Sequence, residues 1–160
     1  MTEPNAPDRG PGISFPPPLL FAGGFVVGWL IGRLWPLWAA SPVNPIIEVT
    51  GAVVAGAGLA IVAWAMSTFA LSRTATMPNR PASTLVTHGP YRYSRNPMYV
   101  AMTLLYIGLA LTTRIWWALP VLPIVLVVLS RVVVAREERY LGTAFGEAYA
   151  QYMQRVRRWI

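Results

Sequence analysis

An all-α integral membrane bundle of about four transmembrane helices, followed by a C-terminal interfacial helix, is the fold class this sequence predicts. Three observations predict it. The 160 residues are 55% hydrophobic and 12% charged, with a mean hydropathy of +0.48. That is too apolar for a soluble domain and too short for several membrane domains. Apolar runs long enough to cross a bilayer alternate with short polar turns. The charge of +7 comes from arginine alone, and the arginines gather on alternate loops, as the positive-inside rule requires.

Met1 to Pro18 is rich in Pro and Gly and lacks periodicity, so it reads as a disordered cytoplasmic tail preceding a membrane domain over 19–160. It does not read as a signal peptide, because no basic region precedes an apolar stretch that is itself too long. Leu19 to about Trp38 is the first expected span. Gly24, Gly28 and Gly32 recur every fourth residue and put a flat groove on one face. Arg33 can snorkel or pair, with Glu48 as a candidate partner. Ile46 to about Leu71 is the second span, and its Ala52, Gly56 and Ala60 form a face expected to meet the glycine groove. Gly51, Gly56 and Gly58 superficially resemble a nucleotide loop, but no strand precedes them, and helix packing is the better reading.

Pro97 to about Thr112 is the third span and Trp116 to about Ala135 the fourth, joined by a turn at Thr113-Arg114. Pro120 and Pro123 are expected to kink or unwind the fourth. From Arg136 the pattern stays helical, with Leu141, Phe145, Ala148 and Tyr152 on one face, as in an interfacial helix lying over the loop between spans two and three. Tyr149 and Tyr152 read as packing residues, and Arg157, Arg158 and Trp159 as an interface anchor. Arg73, Arg80, Arg92 and Arg95 precede span three and five arginines follow span four, whereas the opposite loops carry only Arg114. Both termini and the long loop are therefore expected in the cytoplasm.

Composition weighs against several functions. There is no Cys and one His, so thiolate and multi-histidine metal sites drop out. A nucleic-acid role needs a basic groove on a soluble domain, and the arginines fit anionic head groups better. A transporter would need more ionisable residues within its spans.

The polar stretch STLVTHGPYRYSRNPMY, Ser83 to Tyr99, is where chemistry is expected. Gly89-Pro90 marks a turn. Asn96-Pro97 marks a helix start whose unpaired N–H groups and positive dipole end suit a carboxylate or phosphate. Arg136-Glu137-Glu138 comes from the far end of the span-three/span-four hairpin but falls on the same membrane face. Antiparallel packing brings the two clusters together, offering donors and arginines for an anion, carboxylates for a cation, and Tyr and Met98 for an aromatic or sulfur-bearing body. S-adenosylmethionine has those features, as do other zwitterions.

The segments LVTHGPYRYSRNPMY and REERYLGTAFGEAYAQYMQRV, in this order, resemble the paired motif of the membrane-embedded methyltransferases that include isoprenylcysteine carboxyl methyltransferase and the phospholipid N-methyltransferases. The motifs fall in 76–99 and 136–152. The resemblance implies S-adenosyl-L-methionine as cofactor, with contacts at Thr76, Ser83, Thr84, Leu85, Val86, Tyr91, Asn96, Pro97, Met98, Tyr99 and Glu137. It implies a lipid-like or membrane-partitioned acceptor bearing a carboxylate, amine or thiol. Asn96-Pro97 stands where the isoprenylcysteine enzymes have His-Pro, which brings the chain nearer the phospholipid enzymes. The family's substrate-facing arginine, one turn before the glutamate, falls on Val133, so either Arg131 or Arg136 substitutes or the role is absent.

A carboxylate acceptor needs no base, whereas a thiol or an ammonium does, and His88, Tyr91 and Glu138 are candidates. His88 also reads as a turn residue bonded within its own loop. Arg92 and Arg95 are either topology charges or ligands for a phosphate or carboxylate. The rival reading is a non-catalytic lipid-binding membrane scaffold with the same fold.

Overall fold

The structure, a computed structural model, describes residues 16–36, 44–71 and 84–160. The expected tail, apart from its last residues, lies outside the described residues, as do Thr76 and Ser83. Among the described residues there are helices and no strands. Helix α1 is Pro17–Leu34, α2 Pro45–Leu71, α3 Pro97–Thr113, α4 Ala118–Val128 and α5 Ala135–Arg155. Among the described residues three helices are long and apolar enough to cross a membrane: α1, α2 and the continuous run Ala118–Arg155. With 17 residues, α3 is the shorter apolar member. At a 1.5 Å rise it spans about 25 Å, close to the lower limit for crossing the hydrocarbon core.

The pairing of helices differs from the expectation. The glycine groove of α1 meets α4, not α2. A Cβ at Gly28 would lie 2.6 Å from the Ala118 backbone nitrogen, and one at Gly32 would meet the Trp117 ring. Helix α2 packs along α3 instead, through Gly51 and Gly58. A Cβ at Gly58 would meet the Ala101 carbonyl at 2.7 Å, and one at Gly108 would meet the Gly51 carbonyl at 2.6 Å. Gly56 meets nothing within 4 Å. A repeat of small residues states that a close approach happens, but it does not name the partner. Arg33 likewise lies over the Trp29 ring, 5.3 Å from its centroid, rather than against Glu48.

The prolines are not where the fourth span becomes irregular. Pro120 sits in the first turn of α4, where its missing N–H leaves nothing unpaired, and the helix continues through Pro123. Trp116 and Trp117 precede the helix in a turn. The irregularity is a π-helical turn at Leu129–Val134, with Leu129, Val133 and Val134 wholly buried. A π turn holds one more residue than an α turn, so it rotates everything beyond Val134 about the helix axis. A second adjustment follows at Gly146, whose φ of 50° breaks the helical path inside α5. Beyond it the buried positions are Tyr149 and Tyr152, while Ala148, expected on the same face, is exposed.

Tyr106 donates to the Ala118 carbonyl at 2.9 Å and packs edge-on against Phe21 and Phe25, tying α1, α3 and α4 into one core.

Candidate functional site

The loop before α3 is shaped by Gly89. Its φ of 62° suits a residue without Cβ, and an added Cβ would meet the Thr68 hydroxyl at 2.5 Å. The 3₁₀ turn Gly89–Arg92 can therefore sit against the end of α2. Phe69 packs edge-on to Tyr91 at 5.1 Å between ring centroids. Val86, Tyr91 and Ala65 form a small apolar cluster with Met98 and Phe69 packed against it.

Pro97 occupies the first turn of α3 as expected. The Asn96 side chain does not cap the helix. It donates to the Arg158 carbonyl at 2.9 Å, while the Asn96 backbone carbonyl accepts from Tyr99 and Val100. Nor does this helix end face water: Asn96 and Pro97 are buried. The C-terminal segment lies over them, with Arg95 N–H donating to the Arg157 carbonyl at 2.9 Å and Ser94 to that of Arg158 at 3.4 Å.

The two polar clusters meet at this end. The Tyr99 hydroxyl donates to Glu137 Oε1 at 2.7 Å. Burial pushes the Glu137 carboxyl from its ordinary 4.5 up to about 7, against the lowering pull of the Tyr99 hydrogen bond and with a further push from Glu138. Burial also pushes the Tyr91 phenol up, with Tyr152 and Glu137 adding to the rise, so this hydroxyl keeps its proton and is poorly suited as a base.

Glu138 points into a different cluster. Its Oε1 lies 3.0 Å from Arg95 Nη1 and accepts from Arg158 Nε at 3.0 Å, and its Oε2 accepts from Arg158 Nη2. Two buried polar atoms in this cluster, Arg95 Nε and the Tyr149 hydroxyl, make no well-formed hydrogen bond, although the two side chains face one another. Burial raises the Tyr149 phenol, and Arg95, Arg158 and Glu138 all bear on it.

The remaining sequence candidates are dispersed. Thr84 is exposed, and Leu85 packs with Tyr149, Tyr152 and Val156. His88 is exposed and begins the 3₁₀ turn, its carbonyl accepting from Tyr91 N–H. Arg92 is exposed with its guanidinium 5.1 Å from the Tyr93 ring centroid, so it is turned toward that ring rather than toward the carboxylates. Val133 is wholly buried, while Arg131 and Arg136 are exposed. Among the described residues no three His, Asp or Glu side chains converge as a metal site would require.

Sequence reasoning missed three contributors. Tyr152 donates to the Tyr91 carbonyl at 2.6 Å, Arg158 closes on Glu138, and Tyr149 lies buried beside Arg95. Their partners are about 20 to 60 residues away, so no local pattern could have revealed them. The one available signal was Glu138, an acid beside an apolar span that required a cation.

Against this geometry stand the comparisons with known proteins. The model of the family described as phospholipid methyltransferase matches residues 46–148, from the start of α2 to the middle of α5, which includes Tyr99, Glu137 and Glu138. The chain belongs to the phospholipid methyltransferase family. Two curated relatives agree over shorter stretches. A protein of Cupriavidus metallidurans named cobalt-zinc-cadmium resistance protein CzcN is 36% identical over 77 residues, 48% of this chain and 35% of that protein. An uncharacterized protein of Haemophilus influenzae is 46% identical over 37 residues, 23% of this chain and 59% of that one. The matched stretches thus span about a third and somewhat over half of those relatives' lengths. No solved structure matches the chain.

Proposed function

We propose that this family member transfers a methyl group from S-adenosylmethionine to a lipid-like or otherwise membrane-partitioned acceptor at the cytoplasmic head-group depth. The observation that carries the reading is the enclosed Glu137 carboxyl, held by Tyr99 where the amino end of α3 meets the start of α5. A carboxyl that burial has raised gains most from a cationic partner, and an amino-acid ammonium is such a partner. Tyr91, close enough for Glu137 to act on its phenol, packs with Val86 and Met98 into an apolar, aromatic cluster. Asn96, Pro97, Leu85 and Thr84, with Thr76 and Ser83, complete the proposed cofactor set.

When bound, the cofactor supplies a methyl group activated on a sulfonium. The chain's task is then positioning, because in-line transfer gains chiefly from holding donor and acceptor at contact distance. Arg95, which Glu138 holds beside the buried Tyr149 hydroxyl, fits an anionic group of the acceptor, with Arg92 as a more exposed second cation. Both oxygens of Glu138 are engaged by arginines. It therefore suits positioning Arg95 better than taking a proton, which leaves His88 as the base for an amine or thiol. An acceptor within the bilayer accounts for why the chain is mostly apolar spans.

The arginines at this end support a cytoplasmic placement of the site and both termini. Single cysteines at Asn44 and Thr84 should react from opposite sides, and reaction from one side defeats the assignment. The central test is calorimetry with S-adenosylhomocysteine on protein in nanodiscs. Saturable binding is expected, weakened about tenfold by Glu137→Gln. A wild-type protein that binds nothing overturns the reading.

The cluster of Arg95, Glu138 and Arg158 favours one alternative, a lipid-binding scaffold without turnover, because groups available for chemistry are occupied by one another. Incubation with methyl-labelled donor and mass spectrometry of the lipid extract separates the two. The scaffold yields no labelled product.

A further inference from the structure

About 25 Å from Glu137, at the other end of α3, the carboxyl end of α1 meets the turn between α3 and α4. They enclose a cleft of about 180 Å³, lined chiefly by Trp29, Arg33, Trp35, Arg114, Trp116 and Trp117, with no acidic residue among the described residues of the lining. Three features give it a consistent chemistry. Arg33 stacks its guanidinium over the Trp29 ring at 5.3 Å, which uses the face of the group and leaves its in-plane N–H donors for a ligand. Arg114 holds a left-handed φ of 59°, a conformation that Gly or Asn would adopt more easily, and its side chain lines the cleft. The Trp117 indole N–H donates to the Trp35 carbonyl at 2.9 Å, but that of Trp116 is enclosed and has no acceptor. The cleft thus combines cations and a spare donor with aromatic rings of the kind that settle at the membrane interface.

We infer that this cleft binds a phosphate ester anion, held by Arg33 and Arg114 and supplied by the head group of a phospholipid in the adjacent leaflet. Two guanidinium forks suit a phosphodiester, and exposed tryptophans place the site at head-group depth. Free phosphate shares the chemistry and is distinguished by the test. The site is independent of methyl transfer, since it involves none of the residues near Glu137.

The test uses the full chain in phosphate-free, neutral detergent, titrated with dihexanoylphosphatidylglycerol, dihexanoylglycerol and inorganic phosphate, and read by tryptophan emission and by native mass spectrometry. Saturable binding of the phospholipid is expected, with none of the phosphate-free diglyceride. Arg33→Gln with Arg114→Gln should weaken it about tenfold. Arg114→Gly alone, which removes the charge while relieving the backbone, should weaken it in a protein that melts no lower than the wild type. Inorganic phosphate binding as tightly as the lipid supports the anion site and assigns it to a soluble ligand. Equal binding of the diglyceride, or unchanged affinity in both variants, overturns the inference.

Discussion

Where α2 crosses α3, Gly51, Gly58 and Gly108 let two backbones approach closely, with the Thr112 hydroxyl the side-chain group that comes nearest. At the amino end of α3, by contrast, the loop, α5 and the C-terminal segment are joined by hydrogen bonds and ion pairs of side chains and carbonyls, beside a small apolar cluster around Tyr149 and Val156. The first contact depends on the absence of atoms, the second on their partners. Inside a bilayer, lipid is as apolar as leucine, so close packing rather than the hydrophobic effect joins helices. At head-group depth, groups removed from water must be paired with one another. The comparison teaches that size governs the middle of this bundle, whereas charge and protonation govern its polar end.

Substitutions at the middle should produce the largest effects. Gly108→Leu would put a Cβ 2.6 Å from the Gly51 carbonyl and 2.7 Å from the Ala55 backbone. With little slack in backbone, overpacking of at least about 3 kcal/mol is expected, with loss of the folded protein in thermal melts. Gly56→Leu, where nothing lies within 4 Å, should melt like the wild type. If the two glycines behave alike, the proposed dependence on backbone approach is wrong.

Charge removal at the polar end comes next. Glu138→Ala leaves Arg95, with a side chain 14% exposed, without its carboxylate, and should cost about 3 kcal/mol. Arg158→Ala should cost less than about 1 kcal/mol, because that side chain is 43% exposed and solvent screens its pair. Equal losses would show that the cluster acts as one buried unit.

Protonation sharpens the comparison further, because only the polar end should respond to pH. Between 4.5 and about 7 the folded protein keeps on Glu137 a proton that the unfolded chain has released. Stability should therefore fall as pH rises through that window and level off above it. Affinity for S-adenosylhomocysteine should run the other way, dropping about tenfold per pH unit below about 7, if the ionised carboxylate binds the ammonium. Glu137→Gln should flatten both profiles, and an unchanged affinity profile in that variant would place the ammonium elsewhere.

The smallest effect is expected at Tyr152→Phe, which removes the 2.6 Å hydrogen bond to the Tyr91 carbonyl. A loss of about 1 kcal/mol in chemical denaturation is expected. A loss several times larger would mean that this bond fixes the whole loop before α3.

The sequence by itself determined what local physics can write into a chain. Apolar length set the spans, so α2 and α3 begin and end within a residue or so of where they were expected. Pro97 fixed a helix start, Gly89 a turn, and Thr113-Arg114 the reversal between α3 and α4. The two motifs pointed to Tyr99 and Glu137 before their contact was visible. Tertiary structure alone decided partners and facing. Small residues on α1 and α2 are equally suited to any close neighbour, and the choice of α4 for one and α3 for the other depends on the packing of the whole bundle. The π turn at Leu129–Val134 and the break at Gly146 rotate the residues beyond them, so a constant helical period misplaced Ala148 and could not show where Tyr149 points. Arg158 reaches Glu138 across 20 residues, and Tyr152 reaches Tyr91 across 61. Such long-range pairs follow no repeat, because they exist only once the chain has folded and buried groups must find the nearest available partner.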